Sequence, residues 1–170
     1  MYQAGMYVIY GNMGVCRIAG IEALSFGKGS KKKHYVLEPQ AQHGTIFIPV
    51  DTDVFMRPVI SREEADRLID MIPSIRAEAF MSRDMQELSG HYSTALRSHD
   101  CADLIEMVMS IYAKKQYREA QKQKFGTVDE NYMKRAEELL FSEFSVALGI
   151  PKEKVSSYIG ARVRELKGEE

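Results

Sequence analysis

The chain has 170 residues, enough for one medium domain or two small ones, and its 45% hydrophobic content excludes an intrinsically disordered protein. A formal net charge of −1 excludes an overall electrostatic attraction of the protein to nucleic acid or membranes. Any nucleic-acid contact must therefore come from a local basic patch. Cys16 and Cys101 lie far apart and form neither a disulfide framework nor a zinc-binding pattern, and both are expected to be buried. The chain has no apolar run of membrane-spanning length and no signal-peptide features at its N-terminus, which favours a cytoplasmic protein.

Residues 5–50 are predicted to form a small, curled antiparallel sheet. Four runs rich in Val, Ile, Tyr and Phe show partial alternation of apolar and polar side chains, and they cover residues 6–10, 14–26, 33–39 and 45–50. Glycine and asparagine at the breaks supply the positive φ angles that tight turns need. A sheet of this size has exposed edges, and an exposed edge is a natural site for a partner.

The first helix is predicted immediately after the sheet. Ser61 and Glu64 are spaced as a capping box, with Ser61 at the N-cap and Glu64 at N3. The apolar residues of 63–72 recur at helical spacing, and Pro73 stops or kinks the helix. The segment 51–57 before it is interpreted as a connection between the sheet and the helices.

The remainder of the chain is predicted to be helical. One helix starts at Ser82–Asp84 and runs to about Leu96, and a long helix starts at Ser98 or Asp100 and ends at Gly126. The next starts at Thr127 or Asp129 and ends before Gly149, and an amphipathic segment finishes the chain. Strands followed by helices predict an α+β protein with a strand-rich part, 1–60, and an all-helical part, 61–170.

No group of residues predicts catalysis, a metal site or a cofactor. The turn Gly11–Gly14 follows a strand, but no Gly-Lys-Ser/Thr comes after it, so it fails the phosphate-loop pattern. The four histidines are scattered and lack paired carboxylates. The sequence therefore does not favour an enzyme.

Two basic clusters are the charged features of note. Lys31–Lys33 are predicted at the turn between two strands, as either a solvated hairpin tip or a contact for an acidic partner or phosphate backbone. Lys114, Lys115, Arg118 and Lys122 share roughly one helical face. That face is either simply solvated or a basic stripe that contacts DNA phosphates.

Short motifs in the first 61 residues carry a family resemblance. They are Gly5, Val8-Ile9-Tyr10, Gly14-Val15, Ile18, Ile21-Glu22, Tyr35-Val36-Leu37, Ile46–Val50 and Arg57–Ser61. This pattern resembles the RNA-polymerase-interacting domain of the CarD/CdnL family, which the bacterial transcription-repair coupling factor shares. Met6 and Gly11 stand where the family commonly has Asp and Pro. The resemblance is strong over the first 70 residues and weak after residue 125.

The resemblance implies a Tudor-like, SH3-like β-domain that binds the β subunit of RNA polymerase, followed by a helical domain that contacts promoter DNA. The family binds polymerase partly by adding an edge strand to a sheet of the partner. Here the implied binding strand is formed by Thr45, Ile46, Phe47, Ile48 and Pro49. Alternation places Ile46 and Ile48 on one face and Phe47 on the other, so Phe47 is the best candidate for outward contact.

The implied DNA contact departs from the family pattern. The family's helical domain inserts a tryptophan into the minor groove, whereas this chain has no tryptophan. Met85 falls nearest that position, and Arg83 and Met85 are the candidate contacts in this region. The basic stripe of Lys114, Lys115, Arg118 and Lys122 is the candidate phosphate contact.

The sequence thus predicts a cytoplasmic transcription regulator that binds RNA polymerase and modulates the stability of the open promoter complex. Its contact with promoter DNA is expected to be weak and non-specific. The alternative is a polymerase- or protein-interaction module without DNA-binding activity.

Overall fold

A computed structural model describes residues 1–168 of the chain. The chain divides into two compact units, Met1–Ile60 and Ser61–Glu170, which we call the sheet unit and the helical unit. The predicted α+β class is confirmed, because a five-stranded antiparallel sheet is followed by helices.

The sheet unit contains strands β1 (Tyr7–Tyr10), β2 (Gly14–Leu24), β3 (Lys32–Pro39), β4 (Ile46–Pro49) and β5 (Met56–Pro58). The strands lie in the order β4-β3-β2-β1-β5, and every neighbouring pair is antiparallel. The pairing of β2 with β3 is the longest, and its register shifts between Ile18 and Gly20. Such a bulge bends and twists a strand, which helps to curl this small sheet.

The fifth strand corrects the interpretation of residues 51–57 as a plain connection. Met56 pairs with Tyr10 and Pro58 with Val8, so β5 forms the edge of the sheet opposite β4. The amide of Gly11 also donates to the carbonyl of Phe55 at 2.8 Å.

One face of the sheet holds a compact apolar core. It consists of Val8, Cys16, Ile18, Tyr35, Leu37 and Ile48, each at most 5% exposed. The hydroxyl of Tyr35 accepts a hydrogen bond from the amide of Tyr2 at 3.1 Å, which satisfies its polar end. Burial raises the pKa of the Cys16 thiol to about 11. Cys16 and Cys101 are both buried, as predicted.

The helical unit contains α1 (Arg62–Met71), α2 (Met85–Arg97), α3 (Cys101–Ala120), α4 (Thr127–Leu148) and α5 (Val155–Leu166). Helix α2 begins at the predicted Ser82–Asp84 boundary, where Asp84 is the N-cap, and Asp100 rather than Ser98 is the N-cap of α3, because each carboxylate accepts hydrogen bonds from first-turn amides. None of the described helices is long and apolar enough to cross a membrane.

Three helix ends differ from the prediction. Ser61 caps α1 by accepting from the amide of Glu64 at 3.1 Å, but the carboxylate of Glu64 binds Arg67. Helix α3 ends at Ala120 rather than at Gly126, because Lys122 adopts a left-handed conformation with φ of 55°. Gly126 is the N-cap of α4, so neither Thr127 nor Asp129 has that role.

Ion pairs fasten α5 to α1. Arg162 forms a bidentate pair with Asp70, with Nε–Oδ1 and Nη2–Oδ2 distances of 2.5 and 2.9 Å. Tyr158 of the same helix donates to Asp66 at 2.7 Å. The bidentate geometry orients the two helices as well as attracting them.

Candidate protein-interaction edge and the basic helix

Strand β4 is an edge of the sheet. It pairs with β3 on one side, and within the described residues no strand pairs with its other side. The main-chain groups on that side are consequently available to a partner.

The register identifies which main-chain groups point outward. The amide of Val50 donates to the carbonyl of Lys33 at 3.1 Å, and Ile48 and Ile46 are opposite Tyr35 and Leu37. Hydrogen-bonded pairs alternate along an antiparallel ladder, so the amides and carbonyls of residues 46, 48 and 50 face β3. The N–H and C=O of Phe47 therefore face the open edge.

Pro49 also lies at an outward-facing position of β4. It has no N–H, so it removes one donor without disturbing the pairing with β3, and its carbonyl accepts a hydrogen bond from the amide of Thr52 at 3.1 Å. The open edge therefore presents the N–H and C=O of Phe47. This is enough for a short strand addition, and Thr45 lies exposed just before it.

The side chains of β4 alternate between the core and solvent. Ile48 is 5% exposed and Ile46 packs against the same core, whereas Phe47 is 44% exposed. This is the alternation expected from the sequence. The role of Thr45, Ile46, Phe47, Ile48 and Pro49 in binding polymerase stays a prediction.

The basic stripe of α3 is corrected at Lys114. Its side chain is 1% exposed, and its Nζ donates to Oδ1 of Asp129 at 2.9 Å. The hydroxyl of Tyr92 donates to the same oxygen at 2.6 Å. The pKa of Tyr92 is raised, mainly by burial and secondly by the hydrogen bond to Asp129. Lys114 therefore stabilises the packing of α3 on α4 and cannot contact DNA phosphates from this position.

The other stripe residues do not form one exposed helical face. Lys115 is half-buried, with its Nζ 5.7 Å from the centroid of the Phe125 ring, and Arg118 is also half-buried. Burial raises the pKa of Glu137, and the charge of Lys115 opposes that rise. Lys122 is exposed but lies beyond the end of α3.

The sequence did carry a signal for the burial of Lys114. The buried residues of α3 include Leu104, Met107 and Ile111, and the same spacing of three or four residues continues to Lys114. The prediction for Asp129 is a helix cap, and the burial of its carboxylate is not predicted.

The candidates on α2 are exposed. Met85 is the first residue of α2 and is 51% exposed, and Arg83 precedes the Asp84 cap. Glu87 follows in the first turn and adds negative charge close to Met85. The structure brings Arg83 and Met85 together locally, and their contact with DNA stays a prediction.

Within residues 1–168, no group of three or more histidine, cysteine, aspartate or glutamate side chains could hold a metal ion.

Cys101 lies 3.1 Å from the buried carboxylate of Glu143, which satisfies the thiol by a hydrogen bond within the core of the helical unit.

The comparison with protein families gives a match over the first part of the chain. Residues 2–60 match the family model of the CarD-like/TRCF RID domain, an RNA-polymerase-interacting domain. The matched region is about a third of the 170 residues and coincides with the sheet unit. No significant match exists among curated proteins.

Proposed function

We propose that this chain, whose residues 2–60 are a CarD-like/TRCF RID domain, binds the β subunit of RNA polymerase and modulates the stability of the open promoter complex. The family match supports a protein-interaction role for the sheet unit rather than a catalytic one. The single observation that carries the contact site is the open edge of β4, with Phe47 exposed beside it.

The proposed mechanism is strand addition. The outward N–H and C=O of Phe47 pair with an edge strand of the polymerase, and the phenyl ring packs against the partner's surface. A main-chain hydrogen bond contributes about 0.5–1.5 kcal/mol net, so the two bonds of Phe47 alone give weak binding. A buried aromatic anchor contributes about 2 kcal/mol or more, and thus Phe47 supplies the larger share.

DNA contact is the second element of the proposal. Promoter DNA near the polymerase is contacted weakly and without sequence specificity, with Arg83 and Met85 as the exposed candidates on the helical unit. A module that binds polymerase without DNA is the second candidate function. The burial of Lys114 and the half-burial of Lys115 and Arg118 favour it, because they remove the expected basic stripe.

Binding of full-length protein to purified β subunit, measured by surface plasmon resonance, tests the contact. Phe47→Ala removes only the ring, and we expect binding to be weaker by about 30-fold or more. Phe47→Pro removes the ring and the outward donor while leaving the β3–β4 bonds intact, and we expect up to tenfold further loss.

Phe55→Ala is the matched control, because Phe55 is 42% exposed in the same unit but lies outside β4. Circular dichroism establishes that each variant is folded. Folded Phe47→Ala and Phe47→Pro proteins that bind as tightly as the wild type would refute strand addition through β4.

A further inference from the structure

We propose that the tip of the β2–β3 hairpin is a binding site for the phosphate backbone of a nucleic acid. The site consists of Lys28, Lys31, Lys32 and Lys33, which we call the lysine tip. All four side chains are exposed. The inference assigns the DNA contact of the proposed function to a surface of the sheet unit, and it therefore rests on the DNA-binding part of that proposal.

The lysine tip is a concentrated and uncompensated positive charge. No acidic residue occurs between Glu22 and Glu38, a stretch that contains all four lysines. Within residues 1–168, none of their ammonium groups pairs with a carboxylate, whereas Arg17 on the same β2–β3 pair binds Glu38. Mutual repulsion of four adjacent cations favours a ligand that carries several negative charges close together.

A nucleic-acid backbone meets this requirement better than an acidic protein surface. Duplex DNA carries one negative charge for about every 1.7 Å of its axis, so several phosphates come within reach of one hairpin tip. Lysine binds phosphate as a point charge and needs no fixed geometry, which suits flexible side chains on a turn.

The strand register directs the lysine tip away from the polymerase-binding edge. Lys32 pairs with Leu24 and Lys33 with Ala23, so the hairpin continues to its end. Strand β4 pairs as far as Pro49, opposite His34, and the amide of Val50 adds one hydrogen bond to the carbonyl of Lys33. Lys28, Lys31 and Lys32 therefore lie beyond the end of this pairing and stay accessible when a partner strand occupies that edge.

An exposed aromatic ring lies beside the lysines. Phe26 is 72% exposed, the most exposed phenylalanine of the sheet unit, and its ring contacts His34 edge-on with centroids 5.2 Å apart. Aromatic rings next to basic side chains bind unpaired bases by stacking. The lysine tip supplies phosphate contacts to duplex or single-stranded DNA, and Phe26 adds a contact available only to an unpaired base.

The test measures fluorescence anisotropy of a labelled DNA duplex, and separately of one of its strands, with full-length protein and no polymerase. Salt is varied between about 50 and 200 mM. Replacing all four lysines of the tip by Gln removes up to four phosphate contacts. The logarithm of the binding constant for duplex DNA should then fall less steeply with the logarithm of the salt concentration, by about 3–4 in slope. A matched control replaces the exposed Lys124, Lys134, Lys154 and Lys167 by Gln and leaves the slope unchanged.

The outcomes separate this inference from the proposed function. Equal slopes for the tip variant, the control and the wild type would overturn it, as would the absence of any DNA binding by the wild type. Phe47→Ala is expected to bind DNA normally and polymerase poorly. Loss of the polymerase contact is therefore distinguishable from loss of the DNA contact. Phe26→Ala is expected to weaken single-strand binding only, and an equal loss on duplex would exclude the stacking role.

Discussion

The buried pair of Lys114 and Asp129 permits a quantitative test of the packing of α3 on α4. We consider Lys114→Met, which keeps an unbranched side chain, shorter by one heavy atom, and removes its charge. The Asp129 carboxylate, whose side chain is 3% exposed, would then retain the hydrogen bond from Tyr92 but lose its cation. Breaking a buried ion pair in this way costs about 3–5 kcal/mol. Single domains have about 5–15 kcal/mol of stability, so the loss is a large fraction of the total.

Urea unfolding, followed by the helical circular dichroism signal, measures this loss. The exposed Lys124→Met provides the control and is expected to change the free energy of unfolding by less than about 0.5 kcal/mol. A triple variant, Tyr92→Phe with Lys114→Met and Asp129→Leu, removes all the polar groups together. We expect it to lie within about 1 kcal/mol of the wild type, because no buried charge is left unpaired.

The refuting result is a Lys114→Met protein no less stable than the Lys124→Met control. That outcome would mean that Lys114 is solvated, and the basic stripe would again be a candidate for DNA contact. A large loss of stability, together with an unchanged salt dependence of DNA binding in the folded variant, would establish the structural role.

Two further predictions concern stability alone. Gly149 ends α4 with φ of +68°, so Gly149→Ala is expected to lower the free energy of unfolding by about 1–2 kcal/mol. Gly90 lies inside α2 and nothing lies within 4 Å of the new Cβ, so Gly90→Ala is expected to stabilise the protein by up to about 1 kcal/mol. Thermal unfolding measures both effects. Equal effects of the two substitutions would contradict this reasoning. The hydrogen bond from Arg162 lowers the pKa of Asp70, so the stabilisation is present at neutral pH and is lost as pH falls below about 4. Asp70→Asn should therefore destabilise the protein at pH about 7 but not at pH about 2, and a difference that persists in acid would argue against the ion pair.

Local signals in the sequence predicted much of the fold. The cap Ser61, the helix start at Ser82–Asp84 and the choice of Ser98 or Asp100 were predictable because capping side chains satisfy amides only two or three residues away. The alternation of Ile46, Phe47 and Ile48 follows from the two-residue period of a strand. The family resemblance of the first part is confirmed by the match over residues 2–60.

Features that depend on distant residues were missed. Strand β5 has only three residues and pairs with β1, more than 40 positions earlier, so its own pattern carries little information. The early end of α3 was not predicted. Lys122 has a positive φ although it is not glycine, and no turn motif in the sequence there predicts this conformation.

The two basic clusters show why the number of lysines is a poor guide to a nucleic-acid site. A lysine on a helix is directed by the helical period, and Lys114 follows Met107 and Ile111 into the core, where desolvation of its charge requires the carboxylate of Asp129. The lysine tip lies at the end of a hairpin, where no apolar period directs side chains inward, and within residues 1–168 its ammonium groups form no ion pair with a carboxylate. Neutralising a polyanion requires ammonium groups that are exposed and uncompensated, and position in the fold decides both properties. We therefore expect the salt dependence of DNA binding to follow the lysine tip rather than α3.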